Sequence, residues 1–375
     1  MSDSISRGPT AQTRRAAAPT VLFRTEAGPV VGLGHLQRSL SLAAALAELG
    51  LRSYFCTNDE PQVLTRVRAQ GFDGCTATAA EPWGEDDASR TAARAAELGS
   101  VAMVIDADRQ TEEYLVRLRE SGVPLCSVID RAPHAFPSQL VIGGDADAAD
   151  LEIKSTFGDT QFLLGPRYMI LRPEFWDVSP PAIAGQARHV LLTLGGADPF
   201  DLTPALVTRL ASETDTSEIT VIVGPFFRNR DRIDRAAEGG AARVTTVTSP
   251  DTVRELMDAA DLAVSGGGQT LYELARVGCP ALALRFAANQ DAQLAIFEER
   301  GFLRRLGDPA RDGVVDAAVR SVRALAGDTA ARAAMARAGR TIVDGGGALR
   351  AARAIAKIAA PHTTESGAAM ERRRQ

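Results

Sequence analysis

The chain predicts an α/β protein built from two doubly wound, parallel-sheet domains. Three observations carry that expectation. Short apolar runs rich in Val, Ile and Leu alternate with helical segments, the pattern of βαβ units. Several runs empty into glycine-rich or polar loops, which puts those loops at the carboxyl ends of strands, where open parallel sheets bind ligands. The length, 375 residues, is long for one domain and comfortable for two.

Taken in order, residues 1–18 are small, polar and basic without periodicity, and are expected to be disordered. Val21, Leu22 and Phe23 start the first strand. Leu36, Leu40, Ala43 and Ala47 then recur at helical spacing, with Gly50 as the stop. A strand at 52–56, a helix at 63–70, and an acidic loop running into a helix across 81–98 follow. The buried strand at 101–105 ends at Asp106, a helix spans 112–121, and the strand 124–129 ends at Asp130. Residues 162–168 begin a different kind of stretch, and residues 178–182, after Trp176, read as a connection between domains. Further strands are expected at 189–194, 219–223, 244–247, 262–264 and 281–284, with helices at 203–212, 251–259, 270–277 and 291–299. Alanine-rich helices from 313 to 360 finish the fold, the last of them packing back on the first domain. The expected divisions are a first domain at 19–176, a linker at 177–187, a second domain at 188–345, a closing helix at 346–360 and a solvated tail at 361–375.

Composition narrows the function classes. Hydrophobic residues make up 45% and charged residues 24%, the balance of a soluble globular protein, and aromatics at 5% leave the core to Leu, Val, Ile and Ala. A net charge of −5 gives no reason to expect nucleic acid or anionic membrane as partner. Cys56, Cys75, Cys126 and Cys279 lie far apart in sequence, fit neither a zinc knuckle nor a redox pair, and read as buried thiols. No apolar run reaches transmembrane length. Pro19, Arg24 and Glu26 break the apolar stretch that a twin-arginine signal after Arg14-Arg15 would need. A cytoplasmic protein is expected, and its oligomeric state is not fixed by these features.

The most informative stretch runs Ser265, Gly266, Gly267, Gly268, Gln269, Thr270, Leu271, Tyr272, Glu273 and on to Asn289-Gln290. Its pattern is strand, glycine turn, helix, strand, polar loop. Glycines let the backbone approach an anion, and the free N–H groups at the helix start offer hydrogen bonds and a favourable dipole. Glu273, one turn into the helix, suits sugar hydroxyls. The unit reads as a site for a nucleoside diphosphate attached to a sugar. Gly195, Gly196, Ala197 and Asp198 form a further glycine turn at a strand end, suited to the other side of the diphosphate.

In the first half, Gly32, Leu33, Gly34 and His35 stand between strand and helix. A dinucleotide fingerprint needs glycine where Gln37 stands, which argues against a dehydrogenase. His35, in the first helical turn, feels the positive end of the dipole and is expected to be neutral near pH 7, able to take a proton from water or a hydroxyl. A capping or packing histidine is the alternative. Arg38 shares its helix face and could meet phosphate or a surface carboxylate.

Four ordered stretches carry a family resemblance: residues 32–40, 165–175, 194–199, and the glycine stretch through Asn289-Gln290. Together they resemble the UDP-sugar hydrolases of the pseudaminic acid pathway and the related spore-coat polysaccharide proteins. More distantly, the chain is similar to lipid II N-acetylglucosaminyltransferases. The resemblance implies a GT-B fold, a UDP-sugar substrate, and no metal or cofactor. It implies that His35 activates the attacking water, with Asn289 near the reacting centre. Gly34, Arg38, Gly195, Gly196, Asp198, Gly266, Gly267, Gly268, Gln269, Thr270, Glu273 and Gln290 then line the substrate, Glu273 on the ribose. Two departures concern the sugar side: Asp108 stands where the family has tyrosine, and Arg131 follows Asp130. Hydrolysis to free sugar and nucleoside diphosphate, transfer to a small-molecule or glycan hydroxyl acceptor, and a catalytically silent binding subunit all remain open at this level.

Overall fold

The computed structural model describes residues 18–360 except 29–30, 78–80, 197, 225–226, 228–229, 239 and 251. The expected disorder at 1–18 and 361–375 therefore lies, Ala18 apart, outside the described residues, as does Ala197 of the second glycine turn.

The first half runs β1 (Thr20–Thr25), α1 (Gly34–Ala47), β2 (Arg52–Thr57), α2 (Pro61–Ala69), β3 (Asp73–Thr76), α3 (Glu85–Glu97), β4 (Ala102–Asp106), α4 (Glu112–Glu120), β5 (Leu125–Val128), β6 (Leu140–Gly143) and β7 (Gln161–Leu164). Its strands form one sheet in the order β3-β2-β1-β4-β5-β6-β7, all pairs parallel. The strand order reverses direction between β1 and β4, which opens a crevice at their carboxyl ends. Side chains alternate as a strand demands. Val21, Phe23 and Val104 pack with α1 on one face, while Leu22, Met103 and Ile105 pack with α3 and α4 on the other. Burial on both faces explains why these strands read as continuous apolar runs.

The second half runs β8 (His189–Thr193), α5 (Thr203–Glu213), β9 (Glu218–Val223), α6 (Arg230–Ala237), β10 (Arg243–Thr248), α7 (Arg254–Ala259), β11 (Leu262–Gly266), α8 (Thr270–Val277), β12 (Ala281–Leu284), α9 (Asp291–Glu299) and β13 (Leu303–Gly307). The parallel sheet order is β10-β9-β8-β11-β12-β13, with the reversal between β8 and β11. Three helices close the chain: α10 (Val314–Ala326), α11 (Thr329–Ile342) and α12 (Gly347–Ala359).

Helix α12 crosses back to the first domain, where Ala348, Ala351, Ala352 and Ile355 join its core beside α1. Gly347 permits the docking: a Cβ there would stand 2.1 Å from the Met169 carbonyl oxygen. Arg24, fully buried in β1, staples α3 to the sheet through Asp87 at 3.0 and 2.6 Å and lies 4.2 Å over the Trp83 ring.

Five elements, β3, β6, β7, β13 and α6, escaped the sequence reading, and for most of them the physical reason is plain. Strand β3 is a short edge strand containing Gly74, and β13 carries Arg304 and Arg305 exposed. Strand β6 follows β5 without a helix between them. Helix α6 is mostly charged and buries only Ile233 among its described side chains. Two cysteines expected to be apart are neighbours, since Cys56 and Cys75 are register partners on β2 and β3. Among the described residues, no helix is long and apolar enough to cross a membrane.

Candidate active site

The crevices of the two sheets face each other across a cavity of about 550 Å³. From the first domain Gly34, His35 and Arg38 of α1 reach it, joined by Asp108 and Asp130 from the loops after β4 and β5. From the second domain come Gly267, Gly268 and Gln269 of the glycine turn, and Asn289 and Gln290 of the polar loop after β12. Residues 255 positions apart in sequence, His35 and Gln290, are thus brought onto one space.

The first-domain wall is organised by one carboxylate. Asp106, the last residue of β4, is fully buried and accepts from three residues of α1 spaced to share a face. His35 Nδ1 donates to its Oδ1 at 3.0 Å, and Arg38 Nη2 donates to the same oxygen at 2.7 Å. Arg38 Nε and Ser39 Oγ donate to Oδ2, each at 3.1 Å. Burial works against the Asp106 charge, but Arg38 and His35 outweigh it and hold the carboxyl down to about 2. Arg38 also pairs with Asp130, so the guanidinium expected to meet phosphate or a surface acid is held by one buried and one cleft carboxylate.

The expectation of a neutral His35 is overturned. Burial lowers its basicity, but Asp106 and Asp108 prevail and push the imidazole up to about 10. The helix dipole contributes ~0.3–1 kcal/mol at a terminus; a buried carboxylate at hydrogen-bonding distance is the larger effect. Nε2 faces the cleft with Asp108 Oδ2 at 3.9 Å, an ion pair rather than a hydrogen bond. His35 in turn holds Asp108 below the usual carboxylate range. Arg131 stands 3.5 Å from the same oxygen of Asp108, so the two departures on the sugar side are in contact. Deeper in this wall, burial and then Asp130 push Asp145 up to about 7. His35, Asp108 and Asp130 offer ligand atoms within 4.8 Å of one another, yet each already has an ionic partner in Asp106, Arg131 or Arg38.

The second-domain wall is mostly neutral, and Asp291, which also lines it, pairs with Arg285 at 2.7 Å. A Cβ at Gly267 would lie 2.7 Å from Gln290 Oε1, so a larger residue there would displace the Gln290 side chain. That oxygen accepts from Phe286 N at 2.9 Å and folds the polar loop against the turn. The sequence reading missed Gln293 of α9, which donates through Nε2 to the Gly267 carbonyl. Its Oε1 accepts from the Tyr272 hydroxyl at 2.9 Å, and that hydroxyl accepts from Ala146 N at 2.8 Å. A polar chain therefore ties the glycine turn to the acidic loop of the other domain. The i, i+20 or greater separations involved left no local signal.

Other expected site residues lie off the cavity lining. Gly266 ends β11 and Thr270 opens α8, just behind the turn. Glu273 is buried and held by Arg172 at 3.0 and 2.8 Å; burial pushes its carboxyl up and Arg172 opposes. Gly195 and Gly196 sit past the end of β8. Asp198 accepts from Leu202 N and Thr203 N at 3.1 and 2.8 Å, committing its side chain to the start of α5.

No family model matches the chain. An uncharacterized protein of Methanocaldococcus jannaschii is 23% identical over 270 residues, 69% of this chain and 54% of that protein. Spore coat polysaccharide biosynthesis protein SpsG of Bacillus subtilis is 27% identical over 153 residues, 40% of this chain and 45% of that protein. The chain thus spans about half the length of the curated relatives it matches. Among solved structures, MurG of Acinetobacter baumannii superposes with a TM-score of 0.64 at 14% identity, covering 90% of this chain and 99% of that one. Anabaena HepE, solved with UDP and glucose, gives 0.57 at 14% identity over 90% and 99%. At such identities the likeness is one of architecture: the chain has the GT-B fold, two Rossmann-like domains facing across a cleft.

Proposed function

We propose that this protein is a nucleotide-sugar enzyme that cleaves the anomeric C–O bond and releases a nucleoside diphosphate, with water as the acceptor. The observation that carries the reading is the convergence of the His35–Asp106 pair and the Gly267–Gly268 turn on one cavity. The turn and the start of α8 suit the diphosphate, whose developing charge their N–H groups would stabilise as the bond to the sugar breaks. Asn289 orients sugar or water from the opposite rim. UDP is the nucleotide we propose, from the resemblance of the sequence motifs to UDP-sugar enzymes and from the fold neighbour solved with UDP and glucose.

The proton acceptor is the His35–Asp108 pair rather than an isolated imidazole. At neutral pH the proton resides on His35, which leaves the Asp108 carboxylate to take the proton of the attacking water. The electron pair of the broken bond goes to the phosphate oxygen. Transfer to a hydroxyl acceptor uses the same groups, and the glycosyltransferases among the fold's neighbours favour it as the second reading.

Purified protein offered a panel of UDP-sugars without acceptor tests the proposal. Multiple turnovers yielding free sugar support hydrolysis. Binding without turnover, rescued by an added hydroxyl acceptor, selects transfer. No binding of any UDP-sugar overturns both.

A further inference from the structure

The carboxyl end of β2 and the edge strand β3 bring two thiols together at a cavity that shares no lining residue with the His35 cleft. Cys56 and Cys75 are direct register partners on parallel strands, and their sulfurs are 3.6 Å apart. Paired residues on adjacent strands stand ~4.8 Å apart and project from the same face, inside the ~4.4–6.8 Å between Cα atoms that a disulfide spans. The pair is reachable, because both residues line a cavity of about 260 Å³ bounded by α3, with Arg94 on its wall. Cys56 is buried and Cys75 half-buried. Their chemistry is unequal. The Cys56 thiol is pushed up, first by its hydrogen bond with Cys75 and then by burial. Hydrogen bonding from Cys56, opposed by burial and helped by Tyr54 and Arg94, brings Cys75 down to about 6. Cys126 and Cys279 differ: Cys126 is fully enclosed, Cys279 lines a smaller cavity of about 120 Å³ with its sulfur near backbone carbonyls, and burial pushes both thiols up.

We propose that Cys56 and Cys75 form a reversible disulfide, with Cys75 as the attacking thiol and a low-molecular-weight disulfide as the oxidant. The Cys75 thiolate attacks one sulfur of oxidised glutathione, and a glutathione thiolate leaves with the electron pair and takes up a proton. Cys56 then loses its proton, attacks the Cys75 sulfur and expels the second glutathione. Two protein thiols are oxidised and one glutathione disulfide is reduced to two thiols. The bridge would fasten the sheet edge two residues before Asn58. The Asn58 side chain holds Ala27 through bonds of 3.0 and 2.8 Å and so anchors the loop that leads to α1.

The test uses the native full-length chain equilibrated with oxidised glutathione, quenched by alkylation and mapped by peptide mass spectrometry. The expected result is a Cys56–Cys75 linked peptide that reductant releases, with Cys126 and Cys279 unmodified until the chain is unfolded. In Cys56→Ser the expected product is glutathione retained on Cys75. Glutathione remaining on Cys75 of the unsubstituted chain while Cys56 stays reduced would overturn the proposal. So would both thiols staying free, or equal oxidation of all four cysteines. If Cys56→Ser does not fold, the map of the unsubstituted chain decides alone.

Discussion

Replacing Asp106 with Asn tests the electrostatic core of the site independently of any substrate. Asp106 is the fully buried acceptor of His35, Arg38 and Ser39. The difference between the ordinary histidine value of 6.5 and about 10 in the folded chain corresponds to about 5 kcal/mol between the two protonation states. Asp108, with its side chain 46% exposed, is screened by solvent and supplies the smaller share. Losing an opposite charge in direct contact lowers such a value by roughly 1–3 pH units, so His35 in Asp106→Asn should titrate clearly lower. The sign for stability follows from linkage. His35 is raised above its unfolded value, so its stabilisation is complete below pH 6.5 and is lost as pH rises through about 10. Asp106→Asn should weaken that alkaline dependence and move it to lower pH, and should lower stability by ~3–5 kcal/mol at neutral pH, the range for breaking a buried pair. The assay is NMR titration of the labelled imidazole in both proteins, with chemical denaturation across the same pH range. An unsubstituted His35 titrating near 6.5, or one unmoved by Asp106→Asn, would refute the reasoning.

Other perturbations test the remaining assignments. Asp108→Asn and His35→Ala should each lower turnover by ~10²–10⁴ while leaving UDP affinity in calorimetry nearly unchanged; equal loss of binding would make them structural. Gly267→Ala should weaken UDP binding, since its Cβ would meet Gln290 Oε1 at 2.7 Å, whereas Gly268→Ala, with nothing within 4 Å, should be tolerated in the fold. Glu273→Ala leaves the Arg172 guanidinium with Glu174, 3.2 Å away, as its remaining carboxylate partner and should cost ~1.5–3 kcal/mol in urea denaturation, the range for hydrogen bonds to a charged group. Nucleotide affinity measured on the folded fraction separates that cost from a ribose contact.

Local sequence determined the architecture. Apolar runs of strand length, glycines at their ends and helical spacing after them follow from backbone sterics and short-range burial, which a few neighbouring residues set. They sufficed for the two doubly wound sheets, the glycine turn at 266–268 and the presence of His35 at a helix start. Elements with weak local patterns, such as charged α6 and the edge strands β3 and β13, exist because the rest of the sheet offers them a place. The chemistry of the side chains was decided by tertiary structure. Asp106 is 71 residues from His35 and reverses the charge its helix position predicts. Arg172 is 101 residues from Glu273 and takes the carboxylate that the pattern offered to a ribose. The register of β2 on β3 makes neighbours of two cysteines 19 residues apart. Ionisation, pairing and access depend on what lies within a few ångströms in space, and only the folded chain sets those distances.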